Sequence, residues 1–232
     1  MDHKKSEVSI AIPIYNEENC IRETVNELVR VFEEKKVNYQ IVLVNHGSWD
    51  KTKEIIIQMG KENKKLKIIN LENNLGYGGG IMHGLDNSDG MYIGWTCADG
   101  EVSAEDTYII YEKIKGGNFD VVKAKRENRQ DGDFRKLTSL VFNVVAKLRF
   151  NLHLKDINGY PLFMKREIYP LVKAEETAHL FNLDLIKKIK EKNYSIFEVP
   201  VIHRKRKAGK SFMKISRIFE MAFSLFRYCL GL

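Results

Sequence analysis

The chain has 232 residues, of which 44% are hydrophobic and 30% are charged. These values are typical of a soluble globular domain with one large core, and they exclude a disordered chain. The three cysteines, Cys20, Cys97 and Cys229, are widely separated. This spacing argues against a disulfide framework or a clustered zinc site, and it favours a reducing cytoplasm. The first residues lack a long apolar segment, so we expect no signal peptide.

The periodicity of the first half alternates between strand-like and helical segments. The predicted strands are short, apolar and rich in β-branched residues, and they cover 8–14, 39–45, 66–71, 91–97 and 119–126. Residues 17–36, 50–62 and 103–115 show helical spacing, and the glycine cluster of 73–85 opens a short helix. This alternation favours βαβ crossovers, and therefore an α/β fold with a mainly parallel sheet flanked by helices.

The second half has a different pattern. Helices are predicted near 134–151, 179–192 and 212–229, around short strands within 160–165 and 194–204. We interpret residues 1–211 as one domain, with a donor half of about 1–125 and an acceptor half of about 126–211, followed by an amphipathic helix in 212–232.

The formal net charge of +7 is concentrated in the C-terminal tail. From His203 onward the chain carries eight Lys or Arg residues and one acid, Glu220. Such a segment indicates an anionic partner, such as phosphate, a phospholipid surface or nucleic acid, or else a solvated helix flank. Apolar residues recur there every three or four positions, at Phe212, Ile215, Ile218, Phe219, Ala222, Leu225, Phe226 and Cys229. We predict one helical stripe that lies on a membrane interface, packs on the core or contacts another subunit.

Polar or glycine-rich turns follow four of the predicted strands. They read PIYNEE after the first strand, NHGSWD after the second, NNLGYGGG after the third and CADGE after the fourth. Parallel α/β sheets bind ligands at the carboxyl ends of their strands. The four turns therefore predict one ligand site at this edge of the sheet.

These turns and several later stretches, FRKLTSLVFN, LKDINGYPLFMKREI and EVPVIHRKRKAGKS, resemble a known family in their order and spacing. The chain is similar to family 2 glycosyltransferases of the GT-A fold, and among them to the polyprenyl-phosphate hexose synthases typified by dolichol-phosphate mannose synthase. The resemblance extends from about Val8 to about Ser211. It implies that a nucleotide-activated sugar is bound with a divalent metal and that the sugar is transferred with inversion.

The resemblance assigns donor-binding roles to the first three turns. Its first-strand motif lines the nucleoside pocket, with Pro13, Tyr15, Asn16 and Glu17. Its second-strand motif usually reads Asp-Asp-Gly-Ser, whereas this chain has Asn45 and His46 in place of the two acids. The Asn45 amide keeps a donor and an acceptor for a base edge, and His46 fits a hydrogen-bonded turn residue better than a catalyst. The family's glycine-rich turn, where the backbone approaches the donor, corresponds to Gly76, Gly78, Gly79 and Gly80.

The fourth turn corresponds to the metal motif of the family. That motif reads Asp-x-Asp, often with Gln two residues later, and it holds Mg²⁺ or Mn²⁺ against the donor diphosphate. Here the three positions are Cys97, Asp99 and Glu101. Both cations prefer oxygen ligands, so the Cys97 thiol is a poor ligand. We predict Asp99 and Glu101 as the metal ligands and place Cys97 in the donor pocket.

The resemblance also implies an acceptor side with basic and acidic groups. The segment that meets the phosphates contains Arg126, Arg129, Arg135 and Lys136. Asp156 matches an acidic position near the reacting centre, where it would orient a partner, act as a base or only cap a helix end. Further predicted substrate contacts are Asp184 and, in a late basic loop that closes over the diphosphate, Arg204, Arg206 and Ser211. Asp99, Asp156, Arg126 and Arg135 are the predicted catalytic residues.

We therefore expect a metal-dependent inverting hexosyltransferase that uses a GDP- or UDP-hexose and a polyprenyl-phosphate acceptor. One alternative acceptor is a saccharide or lipid hydroxyl, which would need a base. Another alternative is a non-catalytic nucleotide-sugar-binding relative, because family acids are missing at Asn45, His46 and Cys97. Nucleotidyl transfer fits less well, since its glycine-rich first loop with Arg and Lys is missing. We expect a location in the cytoplasm or on the cytoplasmic membrane face, and no nucleic-acid partner.

Overall fold

The computed structural model describes residues 6–127, 133–175, 180–205 and 215–230. Within these residues, seven strands form one sheet in the order β3-β2-β1-β4-β6-β5-β7. The strands are β1 (Val8–Ile14), β2 (Tyr39–His46), β3 (Leu66–Leu71), β4 (Tyr92–Trp95), β5 (Val121–Glu127), β6 (Leu162–Lys165) and β7 (Ile196–Ile202). All seven fall within segments that the sequence predicts as strands or extend them by one residue, so the predicted strand positions are confirmed.

Helices connect the strands and cover the sheet. In the described residues they are α1 (Ile21–Glu34), α2 (Thr52–Glu62), α3 (Gly76–Asp86), α4 (Ala104–Lys115), α5 (Asp133–Phe150), α6 (Tyr169–Val172), α7 (Phe181–Glu191) and α8 (Ile215–Leu230), with a 3-10 turn at Arg166–Ile168. The start of α4 shows how the local sequence determines where a helix begins. The Ser103 hydroxyl accepts a hydrogen bond from the Asp106 backbone N–H at 3.0 Å, which is the expected N-cap contact.

The sheet is mainly parallel, as predicted, with one antiparallel strand. β1 pairs in parallel with β2 and β4, β2 with β3, and β5 with β7. β6 runs antiparallel between β4 and β5, and its Leu162 lies opposite both Trp95 and Lys123. Strands from both halves of the chain therefore belong to one sheet, and the carboxyl ends of β1, β2, β3, β4, β5 and β7 share one edge.

Helices pack on both faces of this sheet. On one face, α1, α2 and α4 bury a cluster that includes Phe32, Met59 and Tyr111. On the other face, α3, α6 and α7 bury a cluster around Trp95 and Phe181, whose ring centroids are 5.5 Å apart. Trp95 and Phe181 are almost fully buried. The helices on each face remove apolar surface of the sheet from water. This burial holds the strands in place, and with them the sheet edge on which the polar turns lie.

The glycine cluster opens helix α3, in agreement with the short helix that the sequence predicts there. Gly78 lies in the first two turns of α3, where a Cβ would be 2.6 Å from the Phe181 ring. A Cβ on Gly84 would likewise be 2.5 Å from the Ala11 Cβ on β1. These glycines therefore let α3 approach α7 and the sheet closely. Gly76 alone has the left-handed conformation, with φ +75°, that favours glycine where the chain enters the helix.

The C-terminal helix packs on the domain. Leu225 of α8 is buried in a third cluster with Phe142 and Ala146 of α5. The Arg149 Nε–H donates to the Cys229 carbonyl at 3.0 Å, which joins the two helices again. Of the three alternatives for the predicted stripe, packing on the core therefore holds for Leu225 and Cys229, which face α5 and α7. In the part of the chain that is described, no helix is long and apolar enough to cross a membrane.

Candidate functional site

The turn after β1 is held against the turn after β2. Asn16 has a left-handed φ of +56°, and its backbone N–H donates to the Ser48 hydroxyl at 3.0 Å. The Asn16 side-chain oxygen accepts the Trp49 backbone N–H at 3.0 Å, and its Nδ2 is buried without a hydrogen-bond partner. The Glu17 N–H donates to the Thr52 hydroxyl at 2.9 Å. These contacts make the first two turns one rigid wall, with a spare amide donor at Asn16.

The other two predicted residues of the first turn contact the glycine helix and the second turn. Pro13 lies where a Cβ on Gly80 would approach it to 3.0 Å, so it packs under α3. The Tyr15 ring lies 5.9 Å from the His46 ring, centroid to centroid. His46 itself is 5% exposed, and its Nδ1 is 3.1 Å from the Asn74 side-chain oxygen. Burial lowers the pKa of His46, against the opposing effect of Asn74. His46 is thus a neutral, hydrogen-bonded turn residue near pH 7, as the sequence suggests.

A cavity of about 320 Å³ opens at the ends of β2 and β3. It is lined by Asn45, Gly47, Ser48, Lys53, Asn70, Leu71 and Glu72. The Asn45 Nδ2 donates to the Asn70 side-chain oxygen at 3.2 Å, and its Oδ1 accepts the Ser48 N–H at 3.3 Å. The predicted base-contacting residue therefore lines a polar cavity at the expected strand end.

A second, more open cleft of about 520 Å³ lies along the outer face of α1. Its lining consists of residues 18–30 of one segment, mostly charged, and includes Arg22 and Arg30. Arg22 and Arg30 are bound to Glu62 and Glu105, respectively, on the protein surface. Of these lining residues, Glu18 alone belongs to a strand-end turn and the others lie before or on α1, so we place the ligand site at the smaller cavity instead.

The acidic turn after β4 contacts the end of β7. The Asp99 Oδ1 accepts the Glu101 backbone N–H at 3.2 Å. The Glu101 Oε2 accepts the Tyr160 hydroxyl at 2.8 Å and lies 3.1 Å from the His203 Nε2. The Arg204 N–H donates to the Glu101 carbonyl at 2.8 Å. The fold therefore brings the predicted Arg204 beside the predicted metal ligands, and it adds Tyr160 and His203, which the sequence analysis did not single out.

Cys97 lies in the wall of this site as a neutral thiol. Burial raises its pKa well above the usual value, and the nearby Asp99 and Glu101 carboxylates raise it further. Its Sγ is 4.0 Å from the Tyr77 hydroxyl. A protonated thiol is a poor ligand for Mg²⁺ or Mn²⁺, which agrees with the expectation that Cys97 is not a metal ligand.

The donor set of the acidic turn fits a divalent cation with few protein ligands. Among the described residues, no group of three or more His, Cys, Asp or Glu side chains is arranged to hold a metal. His203 is buried, and its Nε2 faces the Glu101 carboxylate, 3.1 Å from Oε2. Asp99 and Glu101 are suitable ligand types for Mg²⁺ or Mn²⁺, and diphosphate and water oxygens complete such shells. The residues present therefore fit a metal that the donor helps to bind.

Arg126 and Asp156 form a buried ion pair next to Tyr160. The Arg126 Nε and Nη2 donate to the two Asp156 carboxylate oxygens at 2.8 and 3.0 Å, and the Arg126 guanidinium lies 5.5 Å from the Tyr160 ring centroid. Although burial acts against it, this pairing holds the pKa of Asp156 well below its usual value. A carboxylate with a lowered pKa is a weak proton acceptor. Asp156 therefore orients Arg126, and the expectations of a base or a helix cap are not supported.

Asp184 has a different position from the one that the sequence suggests. It is 4% exposed, and its carboxylate accepts the Tyr228 hydroxyl at 2.6 Å and the Glu175 N–H at 2.7 Å. It thus anchors α8 and the end of α6 to α7. Of the remaining predicted residues, Arg129, Arg206 and Ser211, with the side chains of Arg135 and Lys136, lie outside the described part of the structure.

The chain shares its sequence pattern and its fold with known proteins. The model of the family "Glycosyl transferase family 2" matches residues 9–170. An uncharacterized glycosyltransferase of Synechocystis sp. is 30% identical over 168 residues, which cover 72% of this chain and 52% of the relative. The chain thus spans about half the length of that relative.

Solved structures match almost the whole chain at low sequence identity. Glucosyl-3-phosphoglycerate synthase from Mycobacterium tuberculosis, bound to Mn²⁺, UDP and glucosyl-3-phosphoglycerate, has a TM-score of 0.77 at 13% identity, covering 98% of this chain and 81% of that one. The same enzyme with Mg²⁺ and UDP has a TM-score of 0.75 at 15% identity, covering 98% and 80%. These likenesses establish the GT-A type of α/β fold. Since the family match covers well over half of the sequence, the chain belongs to glycosyl transferase family 2.

Proposed function

We propose that this glycosyltransferase moves a hexose from a nucleoside-diphosphate sugar to a polyprenyl phosphate, with inversion, in the presence of Mg²⁺ or Mn²⁺. One observation carries the proposal. The polar cavity at Asn45, the acidic turn at Asp99 and the guanidinium of Arg126 all lie at the same edge of the sheet. That edge offers successive places for a nucleoside, a diphosphate and an anionic acceptor.

The donor would lie with its base in the cavity of the β2 and β3 ends. Asn70 and the Asn45 amide provide polar edges for the base, and the buried Asn16 Nδ2 provides a donor that has no hydrogen-bond partner among the described residues. Asp99 and Glu101 would hold the metal, with His203 beside Glu101, and the metal would neutralise charge on the leaving diphosphate. Tyr160 supports this arrangement because its hydroxyl fixes the Glu101 carboxylate while its ring faces Arg126. Structures of similar fold contain UDP with Mn²⁺ or Mg²⁺.

The state of Asp156 favours an anionic acceptor over a hydroxyl. A hydroxyl acceptor needs a general base, and the pKa of Asp156 is lowered by its pairing with Arg126. A phosphate oxygen is already ionised near pH 7 and attacks without losing a proton. Arg126, in turn, offers a fixed positive charge to such an acceptor.

An apolar face on α5 and α8 favours a lipid-linked acceptor over a small soluble one. The exposed apolar side chains there are Leu140, Val141, Val144, Val145 and Leu148 on α5, and Phe223, Phe226 and Leu230 on α8. We call this set the α5–α8 face. Basic residues stand at the ends of the same helices, at Lys147, Arg149 and Arg227. Apolar side chains with flanking cations are typical of segments that lie on an anionic lipid surface.

The test is a turnover assay that separates donors and acceptors. Purified protein is incubated with UDP- or GDP-hexoses and Mn²⁺ or EDTA, and with either a short polyprenyl phosphate in detergent or 3-phosphoglycerate. We expect release of nucleoside diphosphate that requires the metal and the polyprenyl phosphate. Turnover with phosphoglycerate alone would replace the lipid acceptor by a soluble one. Binding of the donor without turnover in any arm would support a non-catalytic role.

Membrane binding gives a separate prediction for the α5–α8 face. We expect the protein to float with vesicles of anionic phospholipid at low salt. Replacing Phe223 and Phe226, which are 64% and 62% exposed, by serine should reduce the bound fraction about 10-fold or more, since each phenylalanine would bury apolar surface in the lipid.

A matched control uses apolar residues of similar exposure elsewhere. Ile109 and Leu171 are 50% and 55% exposed, on α4 and α6, and their replacement by serine should leave flotation unchanged. If the wild-type protein stays in the soluble fraction, or if both double variants lose binding equally, the α5–α8 face is not a lipid-binding surface.

A further inference from the structure

A lysine is completely buried in the sheet next to the proposed site. Lys123 lies on β5 and is 0% exposed. Its Nζ donates to the Asp156 backbone carbonyl and, at 3.2 Å, to the Ala124 carbonyl. Removing an ammonium group from water costs several kcal/mol, and an apolar side chain of similar length would avoid this cost. The position of Lys123 therefore suggests a role other than packing.

Glu198 on β7 completes the arrangement around Lys123. The two residues are register partners in the parallel pair of β5 and β7, and the Lys123 Nζ lies 4.0 Å from the Glu198 Oε1. The Glu198 carboxylate accepts the backbone N–H groups of Lys155 and Asp156 at 2.6 and 2.9 Å. Lys123 thus binds the backbone carbonyl of Asp156, and Glu198 binds its backbone N–H.

The chain after Asp156 has little freedom to move. A Cβ on Gly159 would be 2.0 Å from the Ala124 carbonyl oxygen and 2.9 Å from the Lys123 Nζ, so this segment lies directly against β5. On its other side, the Asn143 side-chain oxygen accepts the Ile157 N–H at 2.9 Å. Residues 155–159 are therefore fixed by side chains of β5, β7 and α5.

Asp156, which lies in the fixed segment 155–159, is the ion-pair partner of Arg126. The Asp156 carboxylate accepts three hydrogen bonds from Arg126, from Nε, Nη2 and the backbone N–H. A shift of Asp156 would release the guanidinium from its orientation beside Tyr160. We propose that Lys123 and Glu198 are positioning residues, which fix Asp156 so that Arg126 is held for the anionic groups of the substrates. The role of Arg126 in this inference rests on the proposed function, whereas the contacts of Lys123 and Glu198 with the Asp156 segment do not depend on it.

The charges around Lys123 are consistent with this role near neutral pH. Burial lowers the pKa of Lys123 to about 8, while Asp156 and Glu198 act to raise it and Arg126 acts to lower it. The ammonium is therefore still protonated at pH 7, where it balances the two carboxylates. Around pH 7 the group of four side chains carries two positive and two negative charges, so neither carboxylate is left without a nearby cation.

The test is a double-mutant cycle between Lys123 and Arg126. In the full chain, Lys123→Met should lower kcat/KM about 10-fold and Arg126→Met about 100-fold, because a misplaced group close to the reaction costs rate. If Lys123 acts through Arg126, the variant with both changes should have the same kcat/KM as Arg126→Met alone. Glu198→Gln is a milder variant that replaces Lys123→Met in the cycle if the latter fails to fold. Lys165→Met is the matched control, since Lys165 is paired with Asp120 and lies at the opposite end of the sheet.

A spectroscopic readout makes the outcome independent of turnover. In wild-type protein the Arg126 Nε–H should give a single NMR signal that exchanges slowly with water, because it is bound to Asp156. The signal should shift or exchange rapidly in Lys123→Met and Glu198→Gln, and remain in Lys165→Met. The positioning role is overturned if the double variant loses kcat/KM by the product of the losses in Lys123→Met and Arg126→Met. It is also overturned if the Arg126 signal is unchanged in both Lys123→Met and Glu198→Gln. If wild-type protein turns over no donor, the proposed function fails, while the NMR comparison still decides this inference.

Discussion

Replacing Asp99 by asparagine is expected to abolish sugar transfer while leaving the fold intact. Asp99 lies on the turn after β4, where its Oδ1 accepts the Glu101 N–H at 3.2 Å, a bond that an asparagine oxygen preserves. What the variant loses is a negative charge next to Glu101 and His203. A metal site with so few protein ligands has no spare carboxylate, so kcat should fall by about 100-fold or more.

The measurement is release of nucleoside diphosphate with Mn²⁺, together with thermal unfolding. In wild-type protein, Mn²⁺ with nucleoside diphosphate should raise Tm, because a ligand that binds only the native state stabilises it. In Asp99→Asn this increase should disappear, whereas the Tm of the ligand-free protein should be nearly unchanged. Asp106→Asn is the control, because the hydrogen bonds of Asp106 within the described residues are those of the helix cap at Ser103, in the same loop region. Full activity in Asp99→Asn would exclude Asp99 as a metal ligand.

The strands and the donor side of the site could be predicted because their signals are local. Short β-branched runs give β1, β2 and β3 directly, and a parallel sheet places the turns that follow them at one edge. Asn45 and Asp99 therefore reach the site from their position at strand ends alone. The same reasoning anticipated that His46 is a hydrogen-bonded turn residue.

The acceptor side could not be read in the same way because it depends on contacts between distant segments. β6 inserts antiparallel between β4 and β5, and this brings Tyr160 to Glu101 and Asp156 to Arg126. Nothing in the local sequence of residues 151–165 indicates these partners. His203 follows the end of β7 and was a readable signal, since a histidine after a strand end occupies the same edge as the acidic turn.

Local signals predicted two further helices but not the contacts of their faces. The glycine cluster opens α3 as expected, whereas the close approach of Gly78 to Phe181 and of Gly84 to Ala11 depends on distant segments. The three- to four-residue spacing in the tail predicted a helix correctly, yet it could not distinguish the side facing α5 from the side facing solvent. Leu225 and Phe226 are adjacent in sequence, and only Leu225 is buried.

Replacing Asp156 by alanine is expected to have the largest effect on stability. The Arg126 and Asp156 side chains are each 9% exposed, so the substitution leaves a guanidinium buried without its counterion. Removing one partner of a buried ion pair typically costs about 3–5 kcal/mol in the free energy of unfolding. The control Lys165→Ala breaks a pair with Asp120 that is 26–28% exposed and leaves the Ser195 hydrogen bonds of Asp120 in place, so it should cost about 1 kcal/mol or less.

The pH dependence of stability provides an independent check on the Asp156 pair. Arg126 lowers the pKa of Asp156 in the folded protein below its unfolded value of 3.8, so the folded state binds fewer protons there. The contribution of the pair is therefore fully present above about pH 5 and is lost as the pH falls through the folded pKa. The stability difference between wild type and Asp156→Ala, measured by urea unfolding, should be constant from pH 7 to pH 5 and shrink below that.

The charge left behind, and not the lost side-chain volume, should account for most of this cost. Removing Arg126 as well, in the double variant Arg126→Met with Asp156→Ala, takes away the unpaired guanidinium and should recover part of the lost stability. Both variants should transfer sugar about 100-fold more slowly or worse, because both lack an oriented Arg126. If the double variant is as unstable as Asp156→Ala or more so, the ion pair is not what holds residues 155–159, and the contacts of that segment with Lys123, Glu198 and Asn143 must carry its stability.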